Sequence, residues 1–365
     1  MKDRTGSTIT SKQLIFVIIG SQIGAGIFAL PRTVSAQAGE DAWIAIILGA
    51  VVPALSVFLI ERLGRRLPQM GFTQMAWALF GKIIGSVLIV LLVAYFLFFG
   101  SLVVRSFAEI AKLYLLPKTP LAVILLIIII ANVYIGSKGA RVLGRLNEIL
   151  FYFSMMLLLI LVIPGGQADY TNIQPVGEAG FGSIARGAMV TIYSFAGSEV
   201  LFVLYSLVNR KEEVLKASLI AVGITMVLYL AMVVTCLLVF GVSSLQRILW
   251  PGLMLLKVSQ VPVLERMEFI FLIFWMGMGA RPAINTGFAA ALTLSQFLKM
   301  DEQKYHIYSL LFVGLGMYIL SIIPRDLLSL FKLWDYAGYG FLVVGLGYPL
   351  LFLLAALMRG GKLNA

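Results

Sequence analysis

Long apolar stretches recur along this chain, separated by short polar connections. Each approaches the roughly 20 residues that an α-helix needs to cross a hydrocarbon layer of about 30 Å. Ten such stretches are legible, at about 11–37, 41–60, 83–111, 119–135, 143–164, 183–207, 216–241, 266–297, 305–323 and 334–357. Most read as continuous helices. The first, sixth and eighth carry Gly, Pro or charge near their middles. A glycine in a helix interior costs about 1 kcal/mol relative to alanine, so the irregularity of these three calls for a reason.

Composition supports a bilayer environment. Hydrophobic residues make up 61% of the chain and charged residues only 12%, against about 25% charged in soluble domains. The mean hydropathy is +1.00. The formal net charge of +11 changes the picture only through its placement. The basic residues gather in the short connections, where they anchor and orient the chain in a membrane rather than bind nucleic acid. Seventeen Lys and Arg lie on the side of the N-terminus and nine on the other, while Arg105 and Arg281 fall within the stretches themselves. The positive-inside rule then places both termini in the cytoplasm, in keeping with an even number of spans. The longer connections, 165–182 and 242–265, fall outside. No cleavable signal peptide is expected, and neither side carries a polar domain able to fold alone.

The ten stretches divide into two sets of five, 11–164 and 183–357, in one transmembrane domain. Each set opens on an interrupted segment. The first contains "GSQIGAGIFALP" (20–31); the sixth contains "YSFAGSEV" (193–200), with a glutamate at mid-depth. Interruptions at matching positions of two halves point to an inverted-repeat fold with its binding site at the breaks. Irregular backbone is tolerated at membrane depth only where protein buries it or a wet cavity borders it. A broken helix frees N–H groups on one side and C=O groups on the other. A zwitterion suits both: its carboxylate sits on a half-helix N-terminus and its ammonium on free carbonyls. Gly24 and Gly26 would let a ligand approach the backbone, although close helix packing uses glycine too. Pro31 suits the first turn of the outer half-helix. Candidate ligand-binding residues are therefore Ile23, Gly24, Ala25, Gly26 and Ile27 at the first break, and Tyr193, Ser194, Phe195 and Gly197 at the second.

"GSQIGAGIFALP" resembles the first-helix glycine motif of the amino acid–polyamine–organocation (APC) superfamily, and "FAGSE" (195–199) is similar to its sixth-helix F-x-G-x-E motif. The whole chain more closely resembles the B subunits of spore germinant receptors, the GerAB/GerKB family. "YFLFFGSLVVRSFAEI", "ILWPGLMLLK" and "WDYAGY" carry that likeness. The resemblance implies an all-α integral membrane protein of ten helices in a LeuT-type 5+5 inverted repeat, with broken first and sixth helices. It implies a germinant-binding subunit of the spore inner membrane. Its ligand would be an amino acid or similar small nutrient, and its partners the A and C subunits of the receptor.

Other polar residues are open to more than one reading. Arg105 and Glu109 share a helix face and form either a structural pair near the outer interface or an outer gate. Arg281, followed by Pro282, sits at mid-depth in the eighth span. It could replace a cation, contact a ligand carboxylate, pair with Glu199 or play a structural part elsewhere. Glu199 is also a candidate coupling residue. Tyr95 and Phe99, one turn apart, either form a side-chain pocket or pack between helices, and Phe195 could cover the ligand. Trp250-Pro251-Gly252 suggests a short re-entrant or interfacial helix with Trp at headgroup depth. Cys236 reads as a small buried hydrophobe, and His306 as a solvated loop residue. No nucleophile–base pair, phosphate loop or metal-ligand cluster is present in the sequence, so no enzyme activity, metal or cofactor is expected. Three functions remain: a ligand-sensing receptor subunit, a proton- or ion-coupled amino acid transporter, and a scaffold for a channel-forming partner.

Overall fold

The computed structural model describes residues 8–162, 167–258, 267–299 and 303–359. The ends of the expected fifth span (163–164) and the first residue of the eighth (266) lie outside them, with parts of both long connections. The described residues are helical almost throughout; their one extended pairing is a bridge between Ile9 and Val208.

The first expected span is two helices. α1 (Ser11–Gln22) begins at Thr10, whose hydroxyl accepts from the Gln13 N–H (3.1 Å) while the Gln13 side chain returns a bond to the Thr10 N–H (3.1 Å). This reciprocal cap satisfies two of the free donors at a helix start. α1 stops at Ile23 and Gly24, both extended; a single 3₁₀ turn (Ala25–Phe28) follows, and α2 (Leu30–Ala38) resumes with Pro31 in its first turn. α3 (Ala42–Gly49) and α4 (Val51–Arg66) form the second span. α5 (Phe72–Tyr114) is longer than the third span requires, because it turns at Gly81 (φ 75°). That left-handed residue separates an initial segment from the crossing helix and fits the expected start near 83.

α6 (Leu121–Gly136) and α7 (Ala140–Val162) are separated by a 120° bend. The sixth span, like the first, is broken: α8 (Gly180–Phe195) and α9 (Val200–Leu204) meet at 42° across residues 196–199. α10 (Val214–Leu245) is followed by the short α11 (Pro251–Val258). α12 (Met267–Gly279) and α13 (Arg281–Phe297) make up the eighth span, interrupted at Ala280 beside Pro282. α14 (Gln303–Ile322), α15 (Leu327–Phe341), a π-helical turn (Leu342–Gly347) and α16 (Tyr348–Met358) follow.

By length and apolarity, the continuous stretches Leu30–Arg66, Phe72–Tyr114, Lys211–Leu245 and Leu327–Met358 can each cross a membrane. α1 packs against α7, α10 and α13, and α2 against α8, so the two breaks lie side by side in the interior.

Trp250 is only 6% exposed, its ring 6.3 Å from that of Tyr114. α11 folds inward over the first break, so closely that a Cβ on Gly252 would lie 2.9 Å from the Phe28 Cα. His306 is not a solvated loop residue. It lies in the first turns of α14 with its ring 5.4 Å from Phe288, edge-on. Cys236 is buried, as expected.

Candidate functional site

At the first break, the N–H groups of Gly24, Ala25 and Gly26 make no hydrogen bond among the described residues. Their backbone borders a small cavity. Consecutive free N–H groups form a ready anion site. Carbonyls from both breaks reach the same region. The Tyr229 hydroxyl, from α10, lies 2.8 Å from the Gln22 carbonyl and 2.7 Å from the Ser194 carbonyl. One O–H offers one proton, so two acceptors share a single donor. Tyr229, Gln22 and Ser194 all border the cavity. It thus presents free donors at one wall and under-supplied acceptors at another, the complement of a carboxylate and an ammonium.

Gly197 holds the two breaks together. Its φ is +120°, a region closed to most L-residues, and a Cβ there would collide with the Ser21 carbonyl. The Gln22 side chain reinforces the junction: its amide donates to the Phe195 carbonyl (3.0 Å) and its Oε1 accepts from Thr225 (2.8 Å). Glu199 is fully buried and accepts from the Gly197 N–H (2.7 Å) and the Tyr95 hydroxyl (2.7 Å). No ion pair joins it to Arg281 among the described residues.

The cavity encloses about 20 Å³, enough for about one water and too little for an amino acid. Aromatic rings cover it on the side of α2. Tyr193 and Trp334 lie 5.9 Å apart, Phe99 meets Trp334 edge-on at 5.4 Å, and the Trp334 indole donates to Ser106 (2.9 Å). The Tyr193 hydroxyl bonds Thr33 of α2 (3.1 Å). Beyond these rings lies a vestibule of about 460 Å³ between α2, α8 and α15, bordered by Arg32, Lys332 and Asp335. At the opposite face the chain is latched: Ile9 exchanges backbone bonds with Leu207 and Asn209 (3.0 Å each), Ser11 bonds Glu213, and Lys12 pairs with Glu148 (2.8 Å). The structure is therefore shut at the N-terminal face and closed over the cavity by aromatic rings at the other.

Of the candidate residues, Gly24, Ala25, Gly26, Phe99, Tyr193 and Ser194 border the cavity. Ile23, Ile27 and Phe195 do not; they pack into the core, Phe195 with its ring 5.0 Å from Tyr229. Tyr193 and Phe195 are two apart on a helix and so face opposite ways. Tyr95 turns to Glu199, and Arg281 lies one residue before Pro282, a wall residue. Arg105 and Glu109 sit apart from the cavity. They pair at 2.8 Å, and Arg105 also donates to the Ser321 carbonyl (2.9 Å) near the end of α14, where a cation meets the negative pole of a helix. Gln22, Val103, Tyr229, Pro282 and Trp334 also border the cavity, although the sequence pattern does not mark them as ligand-binding. Trp334 lies in the quoted "WDYAGY", whereas Tyr229 lies in an unbroken apolar run that carries no signal.

Described residues that are almost entirely helical, with two adjacent broken helices, define an integral membrane protein of the LeuT-type fold. MhsT in complex with L-phenylalanine shares that fold at a TM-score of 0.71 and 16% identity, over 98% of this chain and 90% of that one. Residues 8–327 match the family model described as Spore germination protein, and the chain belongs to that family. It is 29% identical to spore germination protein YndE of Bacillus subtilis (strain 168) over 360 residues, 97% of each chain. It is 26% identical to spore germination protein A2 of the same organism over 362 residues, 98% of each.

Proposed function

We propose that this chain is the ligand-sensing subunit of a spore germinant receptor, with an amino acid or similar small nutrient held between the breaks of the first and sixth spans. The observation that carries this reading is the juxtaposition of three free N–H groups (Gly24, Ala25, Gly26) with two carbonyls (Gln22, Ser194) sharing the Tyr229 proton. The ligand carboxylate takes the N–H groups and its ammonium the carbonyls. Because the cavity is nearly filled, binding requires the Tyr193–Trp334 cover to move. A ligand that favours one arrangement of that cover shifts the population. Partner subunits of the A and C type would read this shift in the spore inner membrane. Residues 11–164 and 183–357 form the two inverted repeats of a ten-span domain with both termini cytoplasmic. We assign no catalytic role and no cofactor.

The vestibule on one face and the latch on the other also suit an amino acid transporter, with Glu199 as a coupling residue. Liposomes decide between the two. Ligand binding by purified protein without gradient-driven accumulation supports the receptor; robust accumulation supports the transporter. A chain that folds but binds no small nutrient would instead be a scaffold subunit.

A further inference from the structure

Arg281 opens α13 and is 1% exposed. Its Nε donates to the Met278 carbonyl at 2.9 Å. Both terminal nitrogens, Nη1 and Nη2, are buried without a hydrogen-bond partner. Gly20 of α1 faces the side chain so closely that a Cβ there would lie 3.3 Å from the Arg281 Cδ, and the same glycine abuts Asn147 of α7. The guanidinium thus lies where α1, α7 and α13 meet.

A buried cation is costly unless something offsets its charge. Among the described residues only the Met278 carbonyl, at the C-terminal pole of α12, offsets part of it. No acid pairs with Arg281 among the described residues. Glu199 faces Tyr95 and Gly197. Asn147, Asn285 and Ser21 are neutral and already bond one another, at 2.9–3.1 Å. Deprotonation is closed to arginine in proteins. Water would satisfy the donors but not the charge. What remains is a counter-ion, and two adjacent NH₂ groups suit one small anion approached from the fork.

We propose that Nη1 and Nη2 of Arg281 bind a small monovalent anion, a halide or a carboxylate, at the junction of α1, α7 and α13. This site does not depend on the reading given above, but it adjoins that cavity. Pro282, the next residue, forms part of the cavity wall, and a Cβ on Gly24 would lie 3.0 Å from its ring. Occupancy at Arg281 therefore fixes the first turn of α13 against the first break, and ligand binding becomes anion-dependent.

The test uses the purified full chain in detergent, without amino acid, with chloride exchanged for gluconate at constant ionic strength. Chloride and bromide are expected to raise the unfolding midpoint saturably. Arg281→Gln should abolish the rise, and Arg281→Lys, which keeps charge but loses the fork, should raise the half-saturating concentration by about tenfold. Anomalous scattering from bromide in crystals of the unaltered chain gives a readout that needs no variant. In halide-free buffer, an amino acid whose effect competes with chloride identifies its carboxylate as the anion; no competition identifies a free halide. A midpoint unmoved by halide or amino acid carboxylate in the unaltered chain, with no bromide at Arg281, overturns the proposal. Amino acid binding that survives this result would leave the site between the breaks standing.

Discussion

Gly197 rests directly against the carbonyl of Ser21, so the break of the sixth span uses the break of the first as its floor. Neither interruption is a local defect. Each supplies the surface on which the other packs, and the cavity of free N–H and C=O groups exists only while they touch.

Gly197→Ala is therefore expected to be severe. A side chain at φ +120° stores about 1–3 kcal/mol of backbone strain, and the collision with Ser21 adds to it. Yield and unfolding midpoint in detergent measure the effect. Gly223→Ala is the control, because a Cβ at 223 meets nothing within 4 Å. Equal stability of the two variants would remove Gly197 from its place as the joint.

Gly26→Val separates binding from folding. The backbone at Gly26 needs no positive φ, and the nearest atom to an added Cβ is the Tyr193 Cε2 at 4.0 Å. The new methyl groups enter the cavity, which has room for about one water. Ligand binding should fall by at least about tenfold, or 1.4 kcal/mol, while the unfolding midpoint changes little. Isothermal titration of both proteins checks this, and undiminished affinity would place the ligand elsewhere.

Acid should loosen the helix that carries Trp334. Asp326 caps α15, accepting from the Ser329 N–H at 2.7 Å. That backbone bond, then the Ser329 hydroxyl, holds its carboxyl below the usual value. A carboxyl with a lowered folded pKa contributes stability that is complete above its unfolded pKa, about 3.9. The contribution is lost as pH falls through the folded value. The unfolding midpoint should thus decline below about pH 4, and Asp326→Asn, which keeps an acceptor, should flatten this part of the profile. Asp326→Ala should lower the midpoint at every pH. An unchanged acid profile in Asp326→Asn would show that other carboxyl groups control it.

The breaks were legible because Gly, Ser and Glu interrupt apolar runs where a membrane helix would otherwise continue. Residues near a break were less so. Helix phase keeps Phe195 from covering the cavity: Tyr193 faces it, so Phe195, two residues on, faces Tyr229. Tyr95 and Phe99 do share a face, yet only Phe99 reaches the cavity, because Tyr95 meets Glu199 one turn earlier. Trp334 and Tyr229 arrive from α15 and α10, distant in sequence from both breaks. Their places depend on how whole helices cross, which no local pattern encodes.

Trp334 is where the cover should open. Its ring packs on both Tyr193 and Phe99 and is fixed by the bond to Ser106. Truncation in Trp334→Ala joins the cavity to the 460 Å³ vestibule without touching either break. Lids of this kind control access more than affinity. A cysteine placed at Ala25, on the cavity wall, reports that access through its labelling by a hydrophilic maleimide. The native thiol is buried and gives little background. Labelling should be slow beneath the intact cover and at least roughly tenfold faster in Trp334→Ala. Ser106→Ala, which removes only the indole's hydrogen bond, should give an intermediate rate. Equal rates in all three would mean that solvent reaches the breaks by another route, and that the latch between Ile9 and residues 207–209 deserves the same experiment from its own face.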